Sequence, residues 1–247
     1  DQQGAEARIV AYLSGDENYI AAVEGGDSHT MVASMVFGFP PERDLAEREY
    51  YRGYSYRDIT KRGAHGSNYY GKPFTLAQQM KVEKEVAEAF QTQYFRRFPG
   101  ISDWHAWVAN QLQTKGYLVT PFGIRRNFWN RRWDDATLRE AIAFVPQHCV
   151  GVLMNVGIYR IWERFEGKPG ADVQILLNLH DAVLGQVRID KADELLPQVL
   201  ECLHFPFPVK DIKGIERQIV IPFDVEVGYN WGKGQGGLKK WRPNGKA

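Results

Sequence analysis

The sequence lacks several features that would announce a class of protein. It has only two cysteines, Cys149 and Cys202, without metal-ligand spacing, so neither a disulfide framework nor a cysteine-based zinc site is expected. The formal net charge is +1, which excludes a global basic field and leaves room only for a local basic patch. No stretch resembles a signal peptide or an apolar span of about 20 residues. These absences predict a soluble cytoplasmic protein with no membrane partner.

What the sequence does contain is a normal globular composition, 44% hydrophobic and 25% charged, which fits one large domain or two smaller ones. Helical patterns dominate, as in "ARIVAYLSGDENYIAAVE", "GGDSHTMVASMVFG" with Asp27 or Ser28 as cap, "TLAQQMKVEKEVAEAFQTQYFRRFPG" and "DATLREAIAFVPQHCVGVLMNVGIYRIWERF". Hairpins are predicted in "YLVTPFGIRRNF" and in "VQILLNLHDAVLGQVR", the latter buried with a polar tip, and a strand in "QIVIPFDVEVGYNWG". The predicted fold class is α+β.

A helical segment, "YRDITKRGAHGSNYYG", carries chemistry at every fourth position: Arg57, Lys61, His65 and Tyr69. On a helix these side chains form one stripe roughly 18 Å long. The two cations suit a polyphosphate, and the aromatic end suits a base. Gly66 beside the stripe would let a base or backbone approach closely. The alternative, which the spacing alone does not exclude, is an ordinary solvated basic face.

Asp181 in "LLNLHDAVL" stands between two runs that are expected to be buried. An isolated carboxylate there is unfavourable unless it is paired or binds a metal, although a turn aspartate at a hairpin tip is the simple alternative. Asp1 alone is only a terminal acid. Together, Asp1 and Asp181 would form a pair of carboxylates able to bridge two Mg²⁺ ions and support phosphoryl transfer.

Taken in order, these stretches resemble the palm and fingers of family A DNA polymerases, the bacterial DNA polymerase I type. "DQQGAEARIVAYLSGDE" resembles the first palm motif of that family, and "GGDSHT" resembles the segment whose His touches the incoming triphosphate. "RDITKRGAHGSNYYG" resembles the fingers-helix motif, and "HDAVLGQV" resembles the second palm motif. "YFRRFPGISDW", "GYLVTPFGIRRNF", "LREAIAFVPQ" and "IPFDVEVGYNWG" also have counterparts, so the resemblance spans nearly the whole chain.

The resemblance implies roles for individual residues. Asp1 and Asp181 would bind the metals, helped by the backbone carbonyl of Gln2, and Glu6 would be the steric gate against a ribose 2′-hydroxyl. The residues implied at the triphosphate are His29, Arg57 and Lys61, and Lys61 would also act as an acid toward pyrophosphate. His65 and Tyr69 would flank the nascent base pair. The residues implied to contact primer–template DNA are Arg8, Arg139, Gln147 and His180.

The resemblance also implies an architecture and partners. A mostly helical fingers subdomain (29–135) would be inserted in a palm (1–28 and 136–247) with a small antiparallel sheet. The implied reaction is template-dependent transfer of a nucleotide from dNTP to a primer 3′-hydroxyl with two Mg²⁺ ions, for which Mn²⁺ can substitute. Since the family has a thumb and often an exonuclease domain before the first palm motif, the chain is expected to be a fragment. Its missing N-terminal part would be a partner, and the fragment alone would be weakly active or inactive.

Four positions depart from the family pattern. His65 stands where the family usually has Phe or Tyr, which puts sugar selectivity in doubt, and Gly71 comes one residue late. Ala182 replaces the Glu after the His-Asp pair, and Ala143 replaces an Asn that contacts the minor groove. These departures indicate a divergent branch, such as a viral member acting in the nucleoid or the infected-cell cytoplasm.

Two other functions stay open. A single-subunit RNA polymerase of related fold is disfavoured by Glu6, since that class tends to have a small residue at the gate. A non-catalytic nucleic-acid-binding remnant is disfavoured by Asp1 with Asp181 but favoured by Ala182.

Several further motifs receive simpler interpretations. The ending "NWGKGQGGLKKW" is predicted to be a flexible tail whose lysines brush nucleic acid, because no helix follows its glycines. Trp104 and Trp107 are assigned to a helix core, and His105 and His148 to structural or surface roles. In "GIRRNFWNRRW", the basic residues that could touch template phosphates are Arg125, Arg126, Arg131 and Arg132.

Overall fold

A computed structural model of the chain describes residues 2–129, 134–166, 170–232 and 234–241. It is a mixed structure of helices and small antiparallel sheets, which confirms the predicted fold class. Three residues with predicted roles lie outside the described residues: Asp1, Arg131 and Arg132.

The helices are α1 (Ala5–Ser14), α2 (Glu17–Glu24), α3 (Ser28–Phe37), α4 (Arg43–Ala46), α5 (Tyr56–Asn68), α6 (Pro73–Met80), α7 (Lys84–Arg97), α8 (Pro99–Thr114), α9 (Asp135–Ile161) and α10 (Ala192–Leu203). A π-helical turn, Trp162–Glu166, follows α9, and a 3₁₀ turn, Ile189–Lys191, precedes α10. The strands are β1 (Glu49–Tyr51), β2 (Tyr54–Ser55), β3 (Tyr117–Val119), β4 (Arg125–Asn127), β5 (Val173–Leu179), β6 (Ala182–Val187), β7 (Phe207–Lys210), β8 (Glu216–Ile219), β9 (Glu226–Val227) and β10 (Lys239–Lys240). In the described residues they pair as five two-stranded sheets: β1–β2, β3–β4, β5–β6, β7–β8 and β9–β10.

The chain divides into two compact units. The described part of the first unit falls within 2–5, 149–207 and 218–241, and the second unit comprises 6–148 and 208–217. In the first unit, Met154 and Ile161 of α9, Val173 of β5 and Leu203 of α10 belong to one buried apolar cluster. The names palm and fingers, with their predicted boundaries, remain predictions.

The core of the second unit is aromatic. Five aromatic side chains are each at most 1% exposed: Tyr19 of α2, Phe90 and Tyr94 of α7, Phe98 between α7 and α8, and Trp104 of α8. Tyr19 meets Tyr94 edge-on at 6.1 Å between ring centroids. The prediction that Trp104 belongs to a helix core is therefore confirmed. Trp107, which was assigned to the same core, is 36% exposed, so that assignment was wrong.

The predicted helical segment that ends at Phe-Pro-Gly forms two helices, α6 and α7. Lys81 lies between them with φ +59, in the left-handed region that a helix interior does not use. Its backbone N–H donates to the carbonyl of Gln78, and Val82 donates to Ala77, which closes α6. The sequence has no glycine or proline at this break, so its pattern gave no warning.

The hairpin formed by β5 and β6 was predicted, but its burial was not as expected. Leu179 faces Ala182, which leaves His180 and Asp181 as the two-residue turn. Val173 is buried, whereas Leu176 and Leu177 are each 46% exposed. In the described part of the chain, β5 is therefore not enclosed on both faces, although its residues are mostly apolar.

One helix has a bearing on the expectation that no segment spans a membrane. By length and apolar composition, residues 135–166 could cross a bilayer, with a mean hydropathy of 1.5 in the best window. Half of that window is buried inside the structure, and the core helix of a soluble protein passes the same test.

Candidate active site

The fingers-helix motif folds as α5 because its first residues satisfy the helix start. The hydroxyl of Ser55 accepts a hydrogen bond from the backbone of Asp58, and the carboxylate of Asp58 accepts one from the backbone of Ser55. This capping box fixes the frame of the helix from Tyr56 onward. The predicted helix is confirmed here.

The side chains predicted to form a stripe emerge on one side of α5. Lys61 and His65 are exposed, Arg57 and Tyr69 are half-buried, and the opposite side is packed. The rings of His65 and Tyr69 meet edge-on at 5.0 Å. α5 and the residue that caps its C-terminus, Tyr69, thus present two cations, an imidazole and a phenol in the expected order.

Gly66 lies on the packed side of α5, contrary to the expectation that it opens the stripe to a ligand. A Cβ there would lie 2.5 Å from Cδ1 of Leu76 in α6. Gly63 is similar, since its Cβ would lie 2.4 Å from the ring of Phe90 in α7. Both glycines therefore permit close helix packing behind the stripe.

Arg57 is held by a carboxylate that sequence reasoning assigned to a different task. Its Nε and Nη2 donate to the two oxygens of Asp27 at 2.9 and 3.1 Å, a bidentate geometry. Asp27 precedes α3, but its side chain makes no cap bond to the backbone; it accepts from the hydroxyl of Thr30 instead. Arg43 of α4 donates to the same carboxylate at 2.9 Å.

The charges around Asp27 set its pKa. Burial alone would raise the pKa of this carboxyl, but hydrogen bonds from Arg57 and Thr30, with the charge of Arg43, outweigh burial and lower the pKa to about 2. The pKa of nearby His29 is lowered by burial and by the charge of Arg57, so His29 is neutral at pH 7. The sequence signal for Asp27 was only its position before a helix.

Glu6 of α1 faces the other end of the stripe. The phenol of Tyr69 donates to its carboxylate at 2.6 Å, and Nδ1 of His65 lies 4.0 Å from the same oxygen. Burial and the neighbouring Glu6 charge raise the pKa of Tyr69, which therefore stays a hydrogen-bond donor at all ordinary pH values. Glu6, His65 and Tyr69, which were predicted to share a site, are brought together.

The backbone under Tyr69 is fixed by a buried polar network that the sequence did not reveal. The side chain of Asn68 donates to the Tyr19 hydroxyl at 2.8 Å and accepts from the Tyr94 hydroxyl at 2.7 Å. The carbonyl of Asn68 bonds to Nε2 of His105 at 2.8 Å, and burial lowers the pKa of His105 to about 4. Helices α2, α7 and α8 thus hold the end of α5, and His105 is structural, as expected.

The second palm motif lies in the first unit, at the β5–β6 turn. His180 adopts φ +63, and Asp181 beside it has a side chain that is 53% exposed. The backbone N–H of Gln2 donates to the carbonyl of Asp181 at 2.9 Å, and Gln3 donates to Pro222 at 2.8 Å. The residue that follows Asp1 is thereby attached to the turn that carries Asp181.

The exposed carboxylate of Asp181 is the kind of ligand that a divalent ion takes. Carboxylate oxygens at an exposed turn, completed by waters and phosphate, are what Mg²⁺ prefers. Within the described ranges, no three His, Cys, Asp or Glu side chains gather as metal ligands. The described residues supply Asp181, and the second predicted ligand, Asp1, lies outside them.

The residues predicted to contact DNA have diverse surroundings. Arg8 is 7% exposed and forms an ion pair with Glu24 at 2.5 Å. Arg139 and Gln147 are exposed on α9, eight residues apart, with Ala143 between them on the same side. Their roles, like that of His180, stay predictions.

The arginines of the β3–β4 hairpin already have partners. Arg125 lies over the ring of Tyr117 at 3.7 Å, and Arg126 pairs with Glu140. A phosphate contact would have to compete with both arrangements, and it too remains a prediction.

Comparison with known proteins identifies the family of the chain. The model of DNA polymerase family A matches residues 1–233, and the chain belongs to that family. DNA polymerase I of Mycobacterium leprae (strain TN) is 31% identical over 240 residues, covering 94% of this chain and 24% of that protein. The thermostable DNA polymerase I of Thermus thermophilus is 29% identical over 235 residues, 92% of this chain and 26% of the relative.

A solved structure gives the same result for the fold. The polymerase domain of Pol1 from M. smegmatis, in complex with DNA primer–template and dNTP, has a TM-score of 0.71 and 30% sequence identity. The likeness covers 84% of this chain and 36% of that one. The chain spans about a quarter of the length of the curated relatives described above.

Proposed function

We propose that this chain is the fingers and part of the palm of a cytoplasmic DNA-directed DNA polymerase, which transfers nucleotides from dNTPs to a primer 3′-hydroxyl on a DNA template. The family match over residues 1–233 carries the proposal. The contacts of Arg57 with Asp27 and of Tyr69 with Glu6 support it, because the residues proposed to bind phosphate and to select the sugar would then lie at opposite ends of one helix stripe. The solved relative holds primer–template DNA and dNTP.

The cations of α5 would bind the triphosphate. Asp27 occupies the Nε–Nη2 edge of Arg57 and orients its guanidinium, which would bind phosphate through its remaining N–H groups; Lys61 one turn away adds a compact charge. Lys61 would also donate a proton to the leaving pyrophosphate oxygen. Neutral His29 can donate one hydrogen bond to the same phosphates.

The other end of the stripe would select the sugar. Tyr69 holds the carboxylate of Glu6 at 2.6 Å, which limits its freedom to move away from a ribose 2′-hydroxyl. His65, exposed beside both residues, would lie against the nascent base pair.

Asp1 and Asp181, with the backbone carbonyl of Gln2, would hold two Mg²⁺ ions, or Mn²⁺ in their place. When bound, such ions supply charge neutralisation and a more acidic primer hydroxyl. The contribution of the described residues would be to hold the Asp181 carboxylate at the β5–β6 turn, to which Gln2 is hydrogen-bonded. We further propose that a thumb and other N-terminal parts of the polymerase complete the DNA-binding cleft, so this chain alone extends primers poorly.

The test is primer extension by a polypeptide that joins this chain to a family A thumb. Asp181→Asn should reduce extension by about 10²–10⁴-fold, since metal coordination contributes several kcal/mol to such reactions. Asp190→Asn, which removes another exposed carboxylate of the first unit, should leave extension intact. Equal activity of the wild type and Asp181→Asn would refute the metal assignment, and a preference for rNTPs would favour an RNA polymerase.

A further inference from the structure

The last 20 residues of the chain have a charge composition unlike the rest. Residues 228–247 contain five Lys or Arg and no Asp or Glu, in a chain with a net charge of only +1. Three aromatic residues, Tyr229, Trp231 and Trp241, lie in the same stretch. Such a local basic and aromatic composition is typical of segments that bind a polyanion.

We call residues 228–241 the C-terminal loop; its described part is folded and is not the flexible tail that the sequence suggested. Strand β10 pairs with β9, placing Lys239 opposite Val227. The backbone N–H of Tyr229 donates to the carbonyl of Gly236 at 2.7 Å, and Leu238 donates to Gly232 at 2.8 Å. The first and second halves of the C-terminal loop are therefore hydrogen-bonded to each other.

Asn230 and the glycines make this fold possible. The side chain of Asn230 accepts from the N–H of Gly232 at 2.9 Å and donates to the carbonyl of Gln235 at 3.2 Å. A Cβ on Gly228 would lie 2.6 Å from the carbonyl of Gly237. These glycines were predicted to make the segment flexible, whereas here they permit two backbone segments to touch.

The C-terminal loop directs two of its three aromatic rings outward. Tyr229 is 85% exposed and Trp231 is 60% exposed, and Lys239 is exposed on β10. Flat rings of this kind can stack on unpaired bases, and nearby cations can contact phosphates. A duplex offers no such base faces except at its ends. A membrane would need an apolar face, but Leu238, the only aliphatic side chain of the loop, is half-buried.

We propose that the C-terminal loop binds single-stranded DNA, with Tyr229 and Trp231 stacking on bases and Lys239 contacting phosphate. The family match ends at residue 233, so Tyr229 and Trp231 lie within the matched part of the chain and Lys239 lies beyond it. This binding needs neither the metal ligands nor the stripe of α5.

The test measures binding of the 247-residue chain to labelled oligothymidylate of about 20 nucleotides, long enough for a stacking site, by fluorescence anisotropy in EDTA without dNTP. Tyr229→Ala with Trp231→Ala should weaken binding by about tenfold or more. Because both rings are exposed, the double variant should keep its circular dichroism and melting temperature.

The matched control is Tyr159→Ala with Trp162→Ala, which removes the same two residue types from the same unit. These rings are 56% and 49% exposed, but they contact each other at 6.0 Å, and Tyr159 donates to Glu163. These two rings should contribute little to binding of the oligonucleotide, because the carboxylate of Glu163 lies beside them. A separate variant, Lys239→Gln, should reduce the slope of log affinity against log salt by about 0.7.

Several results would overturn the proposal: no binding of the oligonucleotide, equal binding by the wild type and the loop variant, or equal losses in the loop variant and the control. An equal loss of affinity for blunt duplex DNA would also overturn it. So would a loop variant that loses binding to anionic vesicles but keeps its affinity for oligothymidylate. Since the assay contains neither metal nor dNTP, its outcome is independent of the proposed polymerase activity.

Discussion

The stripe of α5 and the turn at Asp181 were both predicted as parts of one site, and the chain supports them by different means. The stripe has internal partners: Asp27 holds Arg57, and Glu6 holds Tyr69. Asp181 is exposed and is attached to its neighbours through the backbone bond from Gln2. A cation that is already oriented can receive a phosphate without rearrangement, whereas an exposed carboxylate is ready for an ion and its waters.

The largest expected effect concerns Lys61, which is exposed and would act directly on the nucleotide. If it is both a phosphate ligand and an acid, Lys61→Ala should reduce the rate of primer extension by about 10²–10⁴-fold. Extension is measured in the thumb-containing polypeptide, with a change of the exposed Lys115 just after α8, Lys115→Ala, as a control for a lost surface charge. If Lys61→Ala is as active as this control, the stripe is only a solvated face of the helix. The contrast drawn between the stripe and the turn at Asp181 would then fail.

The packing of α5 on the side opposite the stripe can be tested at Gly63. A methyl group at this position would collide with Phe90, so Gly63→Ala should lower the free energy of unfolding by about 1–3 kcal/mol. Thermal unfolding measures the loss. Gly151→Ala is the matched control, since its Cβ would meet nothing within 4 Å and the change should be neutral or stabilising. Equal melting temperatures for the two variants would contradict the packing described here.

The proposed role of Glu6 in sugar selection can be tested by removing the hydroxyl group of Tyr69. Tyr69→Phe takes the donor from Glu6, so the carboxylate becomes freer to move, and the preference for dNTP over rNTP should fall by about tenfold, the worth of one hydrogen bond to a charged group. The ratio of kcat/KM for the two nucleotides is the measurement. Should Tyr69→Phe leave that ratio unchanged, the bond has no part in sugar selection.

The smallest expected effect is a pH dependence at Asp27. Its folded pKa of about 2 lies below the ordinary 3.8, so its stabilising contribution is complete above pH 3.8 and is lost as the pH falls toward 2. Because the side chain is 30% exposed, the contribution is expected to be about 1 kcal/mol. Asp27→Asn should flatten the stability profile in this window, and an unchanged profile would show that the ion pair contributes nothing.

The sequence predicted well where a pattern is local. The spacing from Arg57 to Tyr69 predicted the stripe, and the apolar runs around His180 and Asp181 predicted a hairpin with that pair at its turn. Contacts between distant segments could not be predicted in this way. Asp27 follows the rule for a helix cap, yet its carboxylate is taken by an arginine 30 positions later. By sequence alone, Asn68 is an ordinary residue for the end of a helix. Its bonds to Tyr19 and Tyr94 depend on two helices that are distant in the sequence.

The glycines show the same limit of local reasoning. A glycine signals freedom of the backbone, but only the neighbouring segments decide whether that freedom is used for motion or for contact. Gly66 and Gly237 were interpreted as open or mobile, and both are packed against other parts of the chain. The break at Lys81 is the converse case, in which a residue without a turn signal ends a helix because the next helix must pack elsewhere.

The buried bonds of Asn68 have a consequence for how α5 responds to ionic strength. At the beginning of the helix, Arg57 is attached through partly exposed charges, whose attraction dissolved ions weaken. At its end, the neutral amide and phenol groups of Asn68, Tyr19 and Tyr94 lie out of reach of the solvent and do not sense those ions. Concentrated salt therefore loosens α5 from one side only, and Tyr69 stays anchored while Arg57 is released.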